Sequence, residues 1–267
     1  MMSEFMDRGK KFQRFIYVAL LVSLLLIAGC TASEQEPISA DNVDEQMITI
    51  TDCIGRKVQV PVRIERIACL YAFSGHTVTM LGKGEKIVAS VEGLKRDALM
   101  TKLCPAIESA AIPSTSGSIN VEELLRVQPD VAFIQRDTAQ NTAQMEKLGK
   151  TGIPFLVVDF NNMEEQKYAV KMIGAAIGAE DKAEEYIRFY DNCLEKIRAK
   201  VKDIPPEKKV RIYHSVNEAV RTDSKGTLPA DWTEAAGVIN VSVNEDLKFS
   251  NNKYFANMEQ ILLWNPD

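Results

Sequence analysis

Two histidines, His76 and His214, are all the imidazole this chain has, so no multi-histidine metal cluster can form and histidine chemistry has two candidate positions. Five cysteines occur without C-x-x-C spacing, which removes zinc ribbons and thioredoxin-type redox motifs. No G-x-S-x-G, H-E-x-x-H or Walker A sequence is present, and no G-x-G-x-x-G follows a strand. The nearest glycine cluster, Gly82-Lys83-Gly84, lacks the length and the Ser or Thr of a phosphate loop. An enzyme is therefore not expected. With 32 Lys plus Arg against 37 Asp plus Glu, the net charge of -5 offers no basic excess for nucleic acid.

These residues must be positioned by elements that the hydrophobic pattern marks out. Met47 to Thr51 and Lys57 to Val60 alternate with period two around Asp52-Cys53-Ile54-Gly55-Arg56 and predict a hairpin. Apolar runs at Ile64 to Leu70, Ile87 to Val91, Val131 to Gln135 and Phe155 to Val158 predict strands separated by helical segments. Alternating strands and helices imply a parallel sheet covered on both faces, with ligands at the carboxyl ends of its strands. The loops after Leu70, Val91 and Gln135 are the places to look. Asp181-Lys182-Ala183-Glu184 fits a capping box, and apolar residues from Ala183 to Val201 recur at three- and four-residue steps before Pro205 and Pro206. A new α/β pattern follows, with a strand at Val210 to His214 and a helix from about Pro229 to Ala236.

An internal repeat ties the two halves together. Asn120–Asp130 (NVEELLRVQPD) recurs as Asn257–Asp267 (NMEQILLWNPD), identical at five of eleven positions. In the first copy a strand follows Asp130, whereas nothing follows Asp267. The second unit is thus expected to lack its last strands and helices.

The N-terminus reads as an address. Four basic residues precede the uncharged Phe15 to Gly29, too short for the roughly 20 apolar residues of a membrane span, and Ile27-Ala28-Gly29-Cys30 resembles the lipobox of bacterial lipoproteins. The resemblance implies lipid on Cys30, a lipid-anchored protein outside the cytoplasmic membrane, and a mature chain with 28 basic against 35 acidic residues. The expected organisation is a signal peptide over 1–29, a flexible tether over 30–46, an N-terminal lobe over 47–180, an interlobe helix over 181–204 and a C-terminal lobe over 205–267. Cys53, Cys69, Cys104 and Cys193 remain in a compartment that permits disulfides, as buried hydrophobes or in pairs that cannot be deduced.

The lipobox, the TITD-x-x-GR-x-V-x-VP opening, Arg66-Ile67 before a short loop, the repeated N-x-E element and Ala236-Gly237-Val238-Ile239-Asn240 together resemble the substrate-binding proteins of ABC importers for iron-siderophore, haem and cobalamin. This likeness implies an α/β fold of two Rossmann-like lobes joined by a single long helix, with ligand in the cleft between them. It implies a ferric siderophore, cobalamin or haem as ligand, and a permease dimer with its ATPase subunits as partner. Glu122 and Glu259 match the family's permease-docking glutamates. The cleft is expected to be lined by Tyr71, Phe73 and Ser74, by Thr115 and Ser116, by Gln135 with Arg136, and by His214, Arg221 and Tyr254. A metal held jointly by His76 and His214 is a second possibility, and an envelope metal-binding or structural interaction lipoprotein without a transport role is the alternative function.

Overall fold

The computed structural model describes residues 46–115 and 118–267, so the leader, Cys30, the tether and Ser116 lie outside the described residues. The chain opens with β1 (Met47–Thr51) and β2 (Lys57–Pro61), the expected hairpin, in unbroken antiparallel register. Its turn is held by Asp52, a buried carboxylate that accepts from Ile54 N, Arg56 N and Arg56 Nε. The same carboxylate accepts from Val157 N at 3.1 Å, which pins the turn to the edge of the main sheet.

That sheet is built from β3 (Ile67–Cys69), α1 (Ala72–Met80), β4 (Ile87–Val91), α2 (Glu92–Arg96), α3 (Ala98–Leu103), α4 (Ala106–Ser109), β5 (Ala111–Thr115) and β6 (Ser118–Ile119). It continues with α5 (Val121–Arg126), β7 (Val131–Gln135), α6 (Arg136–Gln140), α7 (Thr142–Gly149) and β8 (Phe155–Val158). The six strands run in the order β6-β5-β4-β3-β7-β8, all pairs parallel except β5 with β6. Strands buried on both faces explain the apolar runs. Val131, Phe133, Leu156 and Val158 point into one core with Val170 and Ile173, while Ala132, Ile134 and Val157 point into another with Leu124 and Leu148. The order reverses between β3 and β7, and the crevice at such a switch point is where parallel sheets take ligands.

Two helices follow, α8 (Met163–Ala176) and the long α9 (Glu180–Val201), whose 22 residues span about 33 Å at 1.5 Å each. The expected cap at Asp181 is corrected. The helix begins at Glu180 behind Ala179, which makes no side-chain cap bond. The cause is the tight joint with α8: Gly178 is left-handed at φ +62°, and Ala179 N donates to Gly174 O at 2.8 Å, so the chain has already turned into α9 before Asp181. Asp181 sits in the first turn instead, where the helix dipole favours its charge.

The C-terminal lobe contains β9 (Arg211–Ile212), β10 (Arg221–Thr222), α10 (Leu228–Ala235), β11 (Ile239–Asn240), β12 (Lys248–Ser250), β13 (Lys253–Phe255) and α11 (Met258–Trp264). Among the described residues its parallel sheet is β9 with β11, and β10, β13 and β12 form a separate antiparallel sheet. The strand expected from Val210 to His214 is therefore only two residues long, because the chain leaves it at Tyr213 for an irregular loop. Gly237 packs this lobe against α9: it is left-handed at φ +75°, and a Cβ there would stand 2.6 Å from Val201 Cβ. The fold is a mixed α/β fold with two lobes bridged by one long helix.

The repeat is reproduced in the Arg–Asp clamp that closes each copy. Asp130 N donates to Arg66 O and Asp267 N to Arg211 O, both at 2.8 Å. Each aspartate returns a carboxylate oxygen to the backbone N–H of the same arginine, and each guanidinium donates to the carbonyl ending its helix, Val127 O for Arg66 and Trp264 O for Arg211. Gln128 and Asn265 make the left-handed turn at φ +40° and +46°.

Candidate binding cleft and family

The carboxyl ends of β3, β7 and β8 bring together an aromatic floor and one ion pair. Tyr71 follows β3, and its ring centroid lies 6.2 Å from that of Phe73 on the first turn of α1. Phe73 in turn packs on Phe160, after β8, at 4.6 Å and a tilt of 56°. Offset, tilted aromatic pairs of this kind present flat apolar surface beside polar edges. Arg136 follows β7 and donates to Asp159 Oδ2 at 2.6 Å; Arg136 is half exposed and Asp159 20% exposed. Asp159 raises the guanidinium pKa further through this hydrogen bond and its charge. The Tyr71 hydroxyl is raised chiefly by burial, then by the charges of Asp159 and Asp137, so it stays protonated and able to donate.

The other expected site residues of this lobe occupy different settings. Ser74 is wholly buried and donates to Tyr71 O at 2.7 Å, so it braces the turn rather than facing a ligand. Gln135 is half-buried at the end of β7, opposite Val158. Thr115 ends β5 opposite Ser118. His76 is exposed on α1 with Asp97 Oδ2 3.6 Å from its Nε2.

In the C-terminal lobe, His214 Nδ1 is hydrogen-bonded to the buried Asp223 carboxylate, and its ring meets Trp232 edge-on at 5.2 Å. Thr222, buried beside it, donates to His214 O at 2.7 Å. Arg221 and Tyr254 lie on the paired strands β10 and β13, and Tyr254 stacks obliquely on Phe249 at 4.9 Å. Each histidine thus has its own carboxylate partner. Among the described residues no group of three or more His, Cys, Asp or Glu is placed to hold a metal ion.

A cavity of about 600 Å³ lies between the lobes, walled by Asn161 and Asn162 after β8 and by Lys225, Thr227, Asp231 and Asn240 from the other side. Its volume falls in the ordinary range of small-molecule sites, about 300–1,000 Å³. Across it Asp231 accepts a hydrogen bond from Met163 N at 2.7 Å, adding a C-terminal carboxylate to the N-terminus of α8. Sequence reasoning missed Asp159, Phe160, Asn161, Asn162 and Lys225. The first four could have been found by searching the loop after Phe155–Val158 as well as those after the other strands. Nothing in the sequence singles out Asp223, whose importance comes from burial.

Glu122 and Glu259 occupy equivalent first-turn positions of α5 and α11, and both are exposed. Among the described residues no helix is long and apolar enough to cross a membrane.

Known proteins agree with this architecture. Residues 67–267 match the family model described as periplasmic binding protein. The chain is 26% identical over 218 residues to the ABC transporter substrate-binding lipoprotein YvrC of Bacillus subtilis, covering 79% of this chain and 67% of that one. It is 23% identical to the molybdate-binding protein MolA of Haemophilus influenzae, over 91% of this chain and 72% of the relative. Against the iron(3+)-hydroxamate-binding protein YxeB of Bacillus subtilis it is 22% identical, over 71% of this chain and 55% of YxeB. The structure of molybdate-bound MolA superposes with a TM-score of 0.72, covering 82% of this chain and 72% of MolA at 21% identity. Since the family model spans most of the chain, this protein belongs to the periplasmic binding protein family, the substrate-binding components of ABC transporters.

Proposed function

We propose that the protein is an extracytoplasmic lipoprotein, anchored through Cys30, that captures a metal complex in the interlobe cleft and delivers it to an ABC permease dimer driven by its ATPase subunits. A ferric siderophore is the first candidate ligand; cobalamin and haem are the others. The observation that carries this reading is the aromatic floor of Tyr71, Phe73 and Phe160 beside Arg136 at the carboxyl ends of β3, β7 and β8. Flat apolar faces next to a few donors suit a large, partly greasy complex whose rim carries oxygen acceptors. YxeB, an iron(3+)-hydroxamate-binding relative, supports an iron ligand by analogy.

Glu122 and Glu259 serve in this reading as paired docking points for basic pockets on the permease. Each stands exposed near a helix N-terminus, where a carboxylate is stabilised and free to be presented to a partner.

Fluorescence titration of the chain with a ferric trihydroxamate, cyanocobalamin and haemin tests the ligand, and Trp232 beside His214 is the built-in reporter. Saturable binding of one of them, weakened about tenfold or more by Phe73→Ala, is expected. Changing Glu122 and Glu259 together to alanine should abolish uptake with affinity unchanged. Saturation by none of the three, or loss of affinity in the double variant, would overturn the corresponding assignment.

A further inference from the structure

The relatives' names give ligands of different kinds, molybdate for MolA and an iron(3+) hydroxamate for YxeB, and the charges around Arg136 bear on that difference. The guanidinium that an oxyanion would seek, Arg136, is already engaged by Asp159 at 2.6 Å. Two more carboxylates act on it: Asp137, the next residue along, and Glu165, whose Oε2 accepts from Asn161 N at 2.7 Å and so holds the loop that carries the cavity wall. One cation thus stands among three acids. The second wall does not reverse the balance, since Lys225 shares the cavity with Asp231 and Glu234, and Asp223 stands against His214.

A dianionic oxyanion entering here must take Arg136 from Asp159, exchanging one oxygen partner for another with little gain. It also leaves Asp159, only 20% exposed, unpaired next to new negative charge, which is unfavourable. A neutral or cationic chelate meets neither penalty. It can lay its organic shell on Phe73 and Phe160, accept from Tyr71, and leave the ion pair closed or offer Asp159 an N–H donor.

We propose that Asp159 is a specificity-determining residue that makes the N-terminal wall of the cleft refuse free dianionic oxyanions and admit neutral or cationic metal chelates. This inference rests on the reading of the cleft as the ligand site and narrows its substrate class. It also separates this chain from MolA despite their shared fold.

The test is a pair of titrations on the full chain in detergent, sodium molybdate and a monocationic ferric trihydroxamate, each with wild type and Asp159→Asn. Wild type should bind the hydroxamate complex and show no saturation by molybdate up to about millimolar. Asp159→Asn, which keeps size and polarity but removes the charge, should strengthen molybdate binding about tenfold or more and weaken the cationic complex. Tight molybdate binding by wild type, or a variant that changes neither affinity, overturns the inference while leaving solute capture in the cleft intact. Molybdate gained by the variant with no hydroxamate binding by either form sustains the inference and overturns the iron-chelate reading. Failure of both ligands with both forms overturns both. The wild-type titrations decide the sign of the discrimination even if the variant does not fold.

Discussion

The two copies of the N-x-E-x-x-L element share an Arg–Asp clamp and differ in what lies beneath them. Arg66, Asp130 and Val127 form the same clamp as Arg211, Asp267 and Trp264. Yet Leu124 of α5 is 0% exposed, packed with Ile119, Ala132, Ile134 and Leu148, whereas no residue of α11 is buried. Leu262 and Leu263 are 74% and 83% exposed. Short helices gain most of their stability from packing an apolar face, and within residues 118–267 that face is covered for α5 and uncovered for α11. The clamp is specified locally; its energetic weight is not.

The largest effect should separate the copies by burial. Leu124→Ala removes a wholly buried side chain and is expected to destabilise the protein by about 2–5 kcal/mol, while Ile261→Ala should cost less than about 1 kcal/mol. Urea unfolding midpoints measure both. Equal losses would break the comparison, because they would mean that α11 is packed as tightly as α5 in solution.

A smaller difference should appear in the clamps themselves. The Asp130 carboxylate accepts from both Glu65 N and Arg66 N, the Asp267 carboxylate from Arg211 N. At about 1 kcal/mol per hydrogen bond, Asp130→Ala should cost about 2 kcal/mol and Asp267→Ala about half as much. Amide exchange at residues 65, 66 and 211 reads each clamp locally, and faster exchange confined to the edited copy is the expected pattern.

The smallest effect at neutral pH comes from two thiols of the larger lobe, Cys69 fully buried and Cys53 half-buried. Burial raises Cys53 to about 11, with help from the charges of Asp52 and Asp159, and Cys69 to about 12. Below about pH 8 both thiols are protonated folded or unfolded and contribute almost nothing. Above it the unfolded chain loses protons that the folded chain keeps, so stability falls as pH rises. Iodoacetamide should therefore label Cys53 and Cys69 slowly at about pH 8. The unfolding midpoint should drop between about pH 8 and pH 10, and less so in Cys53→Ser. Fast labelling of Cys69 in the folded protein at the lower pH would show that the core opens readily.

Much of the fold was legible because it rests on short-range patterns. Strands Ile87–Val91, Val131–Gln135 and Phe155–Val158 stand where apolar runs bounded by turns placed them, and the hairpin around Asp52 follows its alternation. The helix start at Glu180 was misplaced because a side-chain capping signal was weighed without the backbone turn at Gly178. The site was legible only in part. Tyr71, Phe73 and Arg136 stand at strand ends that the pattern located, but Ser74 faces inward because α1 rotates it toward the sheet.

The sequence by itself determined the alternation of strands and helices, the leader pattern, the repeat and the family likeness, since each depends on residue type and spacing along the chain. Tertiary structure alone decided that Asp159 closes on Arg136, that Phe160 joins Phe73, that Asp223 holds His214, and that Asp231 reaches the N-terminus of α8. These contacts join residues from 9 to 87 positions apart. Their geometry is set by the order of strands in a sheet and by which face of a helix is buried, and no local spacing encodes either.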